Sequence, residues 1–437
     1  MLKFTWKGFV TACWRWVENR EVPCLNNLDY LIALDIGTSK IRVIIGEYHS
    51  NTVHVIGVGS APSQGIKKGA IVDIDLTVEA IKQAVAQAEQ MVDVRINEVA
   101  VGISGNHIEL LSGHGVVAVS SEDREITDTD IERVLQASRV IALPPDREVI
   151  DIVPREFIVD GLRDIRDPRG MIGVRLEVET TIVTGSKTWL HNLHRCIERA
   201  GLSITGYVLM PLAAAEVALS ADEKKLGVVL IDLGAGSTDI AYFENGVLMK
   251  TIVLPIGGDY ITNDIAIGLR TQTEVAERIK LAHGHALAAA ASDEETFKVP
   301  RIGSQNESTH SQAELADIIE PRVEEIFYLI RQAVEQTIEK EPPGGYVLVG
   351  GTVSLPGMRE MAEAVLGGTV RIAQPEFVGL RDPSYVNGAG MILYLAKRAT
   401  RPSAPPTEGK SKGVGKKKIA PKSSPLEKVK NWLKEFI

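Results

Sequence analysis

One short pattern, which occurs in both halves of this chain, constrains the fold more than any other feature. A hydrophobic strand ends in Asp35 or Asp232, a glycine turn follows, and a second strand begins. Glycine lets the main chain approach a ligand closely, and consecutive backbone N–H groups form a nest for an anion. Two such turns facing each other would hold a polyphosphate, with Asp35 and Asp232 supplying oxygen partners to Mg²⁺ through its waters. The candidate nucleotide-binding residues are Asp35, Gly37, Thr38, Ser39 and Lys40 in the first turn and Asp232, Gly234, Ala235, Gly236, Ser237, Thr238 and Asp239 in the second.

A single Asp-x-Gly-Thr turn would be an ordinary β-turn, so the argument depends on the repeat and its matched strands. Neither copy contains a GxxxxGK[ST] loop or a GxGxxG turn, which disfavours the other common nucleotide folds. A third glycine site supports the pair: Gly350 and Gly351 follow an apolar strand at residues 346–349. There the backbone could pass against a flat adenine ring.

The order of predicted elements indicates an α/β protein of several units. At 437 residues, the chain is long enough for roughly three domains. Strands and helices alternate along most of it, but residues 105–183 are β-rich around one predicted helix at 127–140, which indicates an inserted domain. The alanine-rich run at 286–291 is predicted to be helical.

Composition excludes several classes of protein. No apolar run reaches the ~18 residues of a membrane-spanning helix, and three cysteines without paired spacing support neither a disulfide framework nor a zinc site. Of the net charge of −9, residues 1–395 carry −18, because the chain from Ala396 onward has 12 Lys or Arg against 3 acidic residues. An acidic body argues against nucleic acid as a partner, and the basic tail suits an anionic membrane surface or an acidic protein.

The two ends of the chain have their own character. Residues 1–29 are rich in tryptophan and are predicted either to form an interfacial helix or to be an extension from an upstream start codon. Residues 397–423 are rich in Pro, Gly and Lys, which predicts a flexible linker.

The last segment, residues 424–437, is predicted to be an amphipathic helix. Ser424, Pro425 and Glu427 give it a strong N-terminal capping pattern. The aromatic apolar face and the basic linker before it favour a membrane anchor, although docking on its own domain or on a partner helix is the alternative. The apolar face consists of Leu426, Val429, Trp432, Leu433, Phe436 and Ile437.

The two Asp–Gly turns, the Gly-Gly turn and a final helix at Asn387-Gly-Ala-Gly resemble the actin, Hsp70 and sugar-kinase ATPase superfamily, in which two α/β lobes close on Mg-ATP. Within it, the chain is similar to the FtsA family of bacterial division proteins. The segments that carry this resemblance are the opening 33–40, Gln-Gly-Ile-Lys-Lys-Gly at 64–69, Pro-Ile-Gly-Gly at 255–258, Thr-Asn-Asp-Ile-Ala at 262–266 and 276–284.

The resemblance implies an actin-like two-lobed ATPase fold with the family's 1C subdomain inserted. The implied division is residues 30–104 (subdomain 1A with the first turn), 105–183 (1C, an SHS2-like insertion), 184–256 (the return of 1A and the start of 2A with the second turn), 257–312 (2B) and 313–396 (2A and 1A with the adenosine turn and closing helix), followed by the linker and terminal helix.

The resemblance also implies roles for three further residues. Glu277 and Lys280 would approach the adenosine ribose, and a solvated ion pair one helical turn apart is the alternative. Met210 stands where actin and Hsp70 carry a Gln or Glu that orients the attacking water. Because a thioether cannot hold a water firmly, we expect at most slow ATP hydrolysis.

The implied function is that of an ATP-binding filament protein of cell division. It would anchor the FtsZ ring to the cytoplasmic face of the membrane at the division site, as a peripheral membrane protein. Its expected partners are further copies of itself, the C-terminal peptide of FtsZ on 2B, later division proteins on 1C and anionic lipid, but no nucleic acid. The alternatives are a pilus-assembly ATPase of the PilM type and a sugar or small-molecule kinase.

Overall fold

The computed structural model describes residues 30–49, 52–303, 307–338, 340–377 and 379–399. The predictions for residues 1–29, for the linker from residue 400 onward and for the terminal helix at 424–437 lie outside the described residues.

Eighteen strands are described, and several of them, such as the central strands of the sheets, are buried along continuous runs. In chain order they are β1 (Tyr30–Ile36), β2 (Lys40–His49), β3 (Thr52–Pro62), β4 (Ile66–Lys67), β5 (Ala70–Ile71), β6 (Glu98–Ile103), β7 (Ile108–Ala118), β8 (Arg147–Val159), β9 (Leu162–Ile165), β10 (Arg175–Ser186), β11 (Ser203–Leu209), β12 (Val228–Leu233), β13 (Thr238–Glu244), β14 (Val247–Leu254), β15 (Thr296–Pro300), β16 (Glu307–Ser311), β17 (Tyr346–Val349) and β18 (Val370–Ile372).

Ten α-helices are described in the same residues. They are α1 (Ile74–Val92), α2 (Asp128–Ser138), α3 (Lys187–Arg199), α4 (Met210–Ala218), α5 (Ala221–Leu226), α6 (Gly258–Leu269), α7 (Thr273–His283), α8 (Gln312–Thr337), α9 (Met358–Leu366) and α10 (Val386–Ala399). The alanine-rich run forms only one 3₁₀ turn, Ala288–Ala290, so the helix predicted over 286–291 is wrong. Helix α10 continues to Ala399, past the predicted start of the linker at residue 397.

Two five-stranded sheets have the same topology. The first has the order β11-β6-β1-β2-β3 and the second has the order β14-β13-β12-β17-β18. In each sheet an antiparallel three-strand meander begins at the central strand, β1 or β12, whose other neighbour, β6 or β17, is parallel to it. We call the sheet containing β1 with its packed helices the first lobe, and the sheet containing β12 with its helices the second lobe. The strand–Asp–turn–strand repeat in the sequence is thus the visible part of a duplicated sheet.

A third sheet, β7-β10-β8-β9, forms the inserted domain with helix α2. It has its own buried cluster, in which Ile126, Val134, Leu176 and Val178 are almost fully covered. Its long central strand β10 returns directly into α3, so the insertion leaves and re-enters the first lobe at neighbouring points.

Candidate functional site

The two glycine turns adopt the same main-chain form. In the first, the Gly37 amide donates to the Lys40 carbonyl over 3.1 Å, and in the second the Gly234 amide donates to the Ser237 carbonyl over 3.0 Å. Each turn connects the central strand of its sheet to the next strand of the meander. The repeated sequence therefore encodes a repeated local structure at the same edge of both sheets.

The strand register sets the charges of each turn. Asp35 lies opposite Arg42 in the first lobe, and Asp232 lies opposite Asp239 at the equivalent position of the second lobe. The first turn thus carries a cation beside its carboxylate, whereas the second carries two carboxylates.

The turns of the two lobes meet. A Cβ atom placed on Gly236 would lie 2.7 Å from the Thr38 methyl carbon and 2.8 Å from its hydroxyl oxygen, so only glycine fits there without displacing Thr38. The Thr38 hydroxyl accepts a hydrogen bond of 3.2 Å from the Gly69 amide, and the Ser39 carbonyl accepts one of 2.9 Å from the Ser63 amide. The first turn is therefore held by its own lobe while it faces the second.

The second turn is bonded to the helix that follows it in space. The carbonyls of Gly234 and Ala235 accept hydrogen bonds from the first amides of α6, at Gly258 (3.0 Å) and Asp259 (2.8 Å). The buried Thr238 hydroxyl donates to the Ile256 carbonyl over 2.7 Å. Movement of α6 and movement of the turn are consequently coupled.

Three carboxyl groups cluster at the turns, and burial disfavours their charged forms. Asp35 is buried, while Asp232 and Asp239 are half-buried. Desolvation raises the pKa of Asp35 to about 6, against the lowering effect of Arg42. Desolvation and the charge of Asp232 raise the pKa of Asp239 to about 7, and desolvation also raises the pKa of Asp232.

Hydrogen-bond donors from distant parts of the chain orient the two second-lobe carboxylates. The Asn387 amide at the start of α10 donates to Asp232 over 2.6 Å. The Ser104 hydroxyl, at the entrance to the inserted domain, donates to Asp239 over 3.4 Å.

Arg42 plays the corresponding part in the first lobe. Its guanidinium lies 3.8 Å from Asp35, donates to the Ser384 hydroxyl over 3.0 Å and lies 4.9 Å from the centre of the Tyr385 ring. Among the described residues, no three His, Cys, Asp or Glu side chains converge as a direct metal cluster.

The glycine pair after β17 packs directly on the second turn. Gly350 has φ of 99°, and a Cβ atom there would lie 2.4 Å from an Asp232 carboxylate oxygen. The Thr352 hydroxyl donates to the Gly234 carbonyl over 2.9 Å. An open cavity of about 560 Å³ lies beside this loop, lined by residues 353–360 with Arg371, Ile372 and Pro383. The two glycine turns do not line that cavity. The candidate site is therefore the group of carboxylates and glycines at the turns and not the cavity.

Glu277 and Lys280 are not the solvated pair that spacing alone allows. Lys280 is 7% exposed, and its ammonium lies 2.7 Å from Glu277, 2.8 Å from the Thr262 hydroxyl and 3.1 Å from the Gly258 carbonyl. The Thr262 hydroxyl also donates to Glu277. The pair therefore fixes α7 to the start of α6, next to the second turn.

Met210 begins helix α4, and its side chain packs in a buried cluster of the first lobe with Ala33 and Ile44. It is 6% exposed, and a Cβ atom on Gly102 would touch its sulfur. A narrow crevice of about 10 Å³ beside Asp239 is lined by Pro211 and not by Met210. Neither the Met210 side chain nor the Pro211 side chain has a carboxylate or amide that could orient water.

The sequence motifs do not identify Arg42, Ser104 or the role of Asn387, because these side chains lie outside the repeated turns. Of these three residues, only Arg42 could have been found from the sequence, because strand pairing across the first turn places it opposite Asp35.

No helix in the described ranges is long and apolar enough to cross a membrane.

The paired sheets with facing glycine turns define a protein of the actin-like ATPase fold class, and solved structures agree. The PilM–PilN type IV pilus biogenesis complex matches with a TM-score of 0.59 at 18% identity, over 85% of this chain and 99% of that one. MreB5 of Spiroplasma citri bound to ADP matches with a TM-score of 0.51 at 14% identity, over 85% and 97%. The predicted fold class is confirmed.

Sequence relatives are more specific. The family model "Cell division protein FtsA" matches residues 229–390, and that of the SHS2 domain inserted in FtsA matches residues 105–184. The chain is 50% identical to the cell division protein FtsA of Bacillus subtilis over 86% of this chain and 85% of that protein. It is 40% identical to FtsA of Pseudomonas aeruginosa, over 92% and 97%, and 32% identical to FtsA of Escherichia coli, over 93% and 98%.

The chain belongs to the FtsA family of cell division proteins. The predicted family and the predicted role in cell division are confirmed.

Proposed function

We propose that this chain binds Mg-ATP between the turns of its two lobes and uses it to assemble into filaments. The observation that carries the proposal is that two turns of identical form, one from each duplicated sheet, bring glycine amides, hydroxyls and carboxylates to one point. The turns would hold the phosphates through main-chain N–H groups, Gly350 and Gly351 would pass along the adenosine, and Glu277 and Lys280 would lie towards the ribose.

The carboxylate cluster fits a divalent cation. Burial disfavours the charged forms of Asp35, Asp232 and Asp239, and among the described residues Arg42 is the cation that lies beside them. Asp35 and Asp232 would hold Mg²⁺ through its waters, and the ion would supply the positive charge that neutralises the phosphates.

The same geometry supports slow hydrolysis. Asp239 is the carboxyl group best matched to accept a proton near neutral pH, because its pKa is raised to about 7. Neither Met210 nor Pro211, at the start of α4, has a carboxylate or amide that could orient an attacking water, so we expect hydrolysis to be slow. Nucleotide binding would then mainly stabilise a closed form that assembles.

We further propose that the protein anchors the FtsZ ring to the cytoplasmic face of the membrane at the division site. The C-terminal peptide of FtsZ would bind 2B, and later division proteins would bind 1C. The charge asymmetry of the chain, −18 up to residue 395 and +9 beyond it, supports contact of the tail with anionic lipid.

Co-sedimentation with anionic liposomes in Mg-ATP tests this function. The full chain is compared with a chain truncated after Ser423 and with Trp432→Glu, which places a charge on the predicted apolar face. Sedimentation of the full chain alone supports the peripheral anchor. Equal sedimentation of all three would move the anchor to residues 1–29, and no sedimentation of the full chain would overturn the membrane role.

Of the two alternatives, the pilus-type ATPase shares the fold with this chain. Membership of the FtsA family decides for the division role over this alternative and over the kinase.

A further inference from the structure

A small hairpin of the first lobe touches both glycine turns. Its strands β4 and β5 are joined by Lys68 and Gly69, which have φ of 50° and 74°. The Gly69 amide donates to Thr38 in the first turn. A Cβ atom on Gly236 in the second turn would lie 3.1 Å from the Lys68 Cα atom. The tip of the hairpin therefore lies where the two lobes meet.

The side chain of Lys68 extends from this tip to the second lobe. Its ammonium donates to the Tyr260 hydroxyl over 2.8 Å and lies 5.2 Å from the centre of the tyrosine ring. Lys68 forms no ion pair with a carboxylate in the described part of the chain. This contact joins residues that are 192 positions apart.

Tyr260 is itself held in place by its own lobe. It lies in the first turn of α6, whose amides at Gly258 and Asp259 bind the carbonyls of the second glycine turn. The guanidinium of Arg322, from α8, lies 5.8 Å from the tyrosine ring and is paired with Asp264. Lys68 therefore contacts the start of α6, which is hydrogen-bonded to the second glycine turn.

We propose that Lys68 and Tyr260 form a latch between the lobes that slows release of nucleotide from the site beneath it. The inference rests on the proposed nucleotide function. An exposed hydrogen bond between an ammonium and a hydroxyl at the ring edge is individually weak, so the latch would be reversible and would not hold the lobes together permanently.

Dissociation of a fluorescent ATP analogue in the presence of Mg²⁺, followed by stopped flow with excess ATP as competitor, tests the latch. We expect Lys68→Met and Tyr260→Leu each to speed release by about fivefold, the effect of losing one exposed hydrogen bond. The double variant should release no faster than either single variant, because both remove the same contact. Lys68→Arg keeps the positive charge and should therefore keep slow release. Tyr260→Phe removes the hydroxyl and keeps the ring, so its release rate shows which of the two the ammonium needs.

Lys67→Met is the matched control, because Lys67 is the exposed neighbour in the same hairpin. Additive effects of Lys68→Met and Tyr260→Leu, or faster release with Lys68→Met alone, would show that Lys68 acts on the phosphates and would overturn the latch.

Hydrogen exchange on the nucleotide-free protein separates the latch from the nucleotide site. Tyr260→Leu should increase exchange in residues 66–71 of the opposite lobe, and unchanged exchange there would count against the latch. If the wild-type protein takes up no nucleotide, the proposed function fails, while the exchange experiment still decides whether the lobes are latched.

Discussion

At the scale of single residues, the electrostatics of the second turn link stability to pH. The pKa of Asp239 is raised to about 7 in the folded chain by burial and by the neighbouring charge of Asp232. In an unfolded chain an aspartate titrates near ~3.9. Between these values the unfolded chain has released a proton that the folded chain keeps, so this group lowers stability as pH rises from about 4 to about 7, and the loss is complete above that.

We therefore expect Asp239→Asn to stabilise the nucleotide-free protein at pH 8 by up to about 4 kcal/mol and to have little effect at pH 4.5. The amide keeps an oxygen that can accept the Ser104 hydroxyl. Thermal unfolding at the two pH values measures the difference, with exposed Asp222→Asn as control. The same gain at both pH values would show that charge at Asp239 is not the cause.

Asn387 gives a second prediction at this scale. Its amide donates to Asp232 over 2.6 Å, so Asn387→Asp would place two carboxylates in contact. We expect a loss of about 2 kcal/mol at pH 8, since a favourable bond to a charged group becomes a repulsion. Unfolding in urea at pH 8 and pH 5 measures it, and the loss should shrink at pH 5, where one carboxyl holds a proton. A variant as stable as the parent at pH 8 would contradict the assigned contact.

The residue scale also shows where sequence reasoning stops. The two turns could be predicted because each is local: a strand, an aspartate and a glycine within six residues specify the form. The contacts of Asn387 with Asp232 and of Lys68 with Tyr260 could not, because they join positions 155 and 192 residues apart, and only the folded sheets bring them together. Met210 was placed correctly at the start of a helix, but the direction of its side chain depends on packing against Gly102.

At the scale of elements, helix α1 lies directly on strand β3 through Gly59. A Cβ atom on Gly59 would lie 1.8 Å from the Ala84 carbonyl oxygen and 2.7 Å from the Ala88 nitrogen, both in the backbone of α1. Neither atom can move without shifting the helix, so Gly59→Ala should cost about 3 kcal/mol. Gly206→Ala in β11 is the control, because no atom lies within 4 Å of its added Cβ. Chemical denaturation of both variants measures the costs, and equal stabilities would contradict the packing.

A strand could be predicted where an apolar run was continuous and ended at a turn signal, as in β12 before the second glycine turn. The helix predicted over the alanine-rich run at 286–291 does not form, because tertiary contacts outweigh the helix propensity of alanine. Ala286 is buried and its amide donates to the Pro356 carbonyl, and only one 3₁₀ turn remains.

At the scale of the whole molecule, assembly and membrane binding should depend on each other. A single predicted helix of residues 424–437 would bind lipid weakly and reversibly, with linker lysines adding about 1 kcal/mol each near anionic lipid. Filament formation would place many such helices on one surface, which would raise the effective concentration of each without any new contact.

We therefore expect the bound fraction on anionic vesicles in Mg-ATP to rise steeply at the protein concentration where filaments appear in light scattering. Without nucleotide, binding should rise gradually over the same range, because each helix then binds alone. A chain truncated after Ser423 should scatter light as the full chain does yet stay in the supernatant, which separates assembly from anchoring. If the full chain bound equally well below and above the assembly threshold, its helix would suffice alone and the coupling would be wrong.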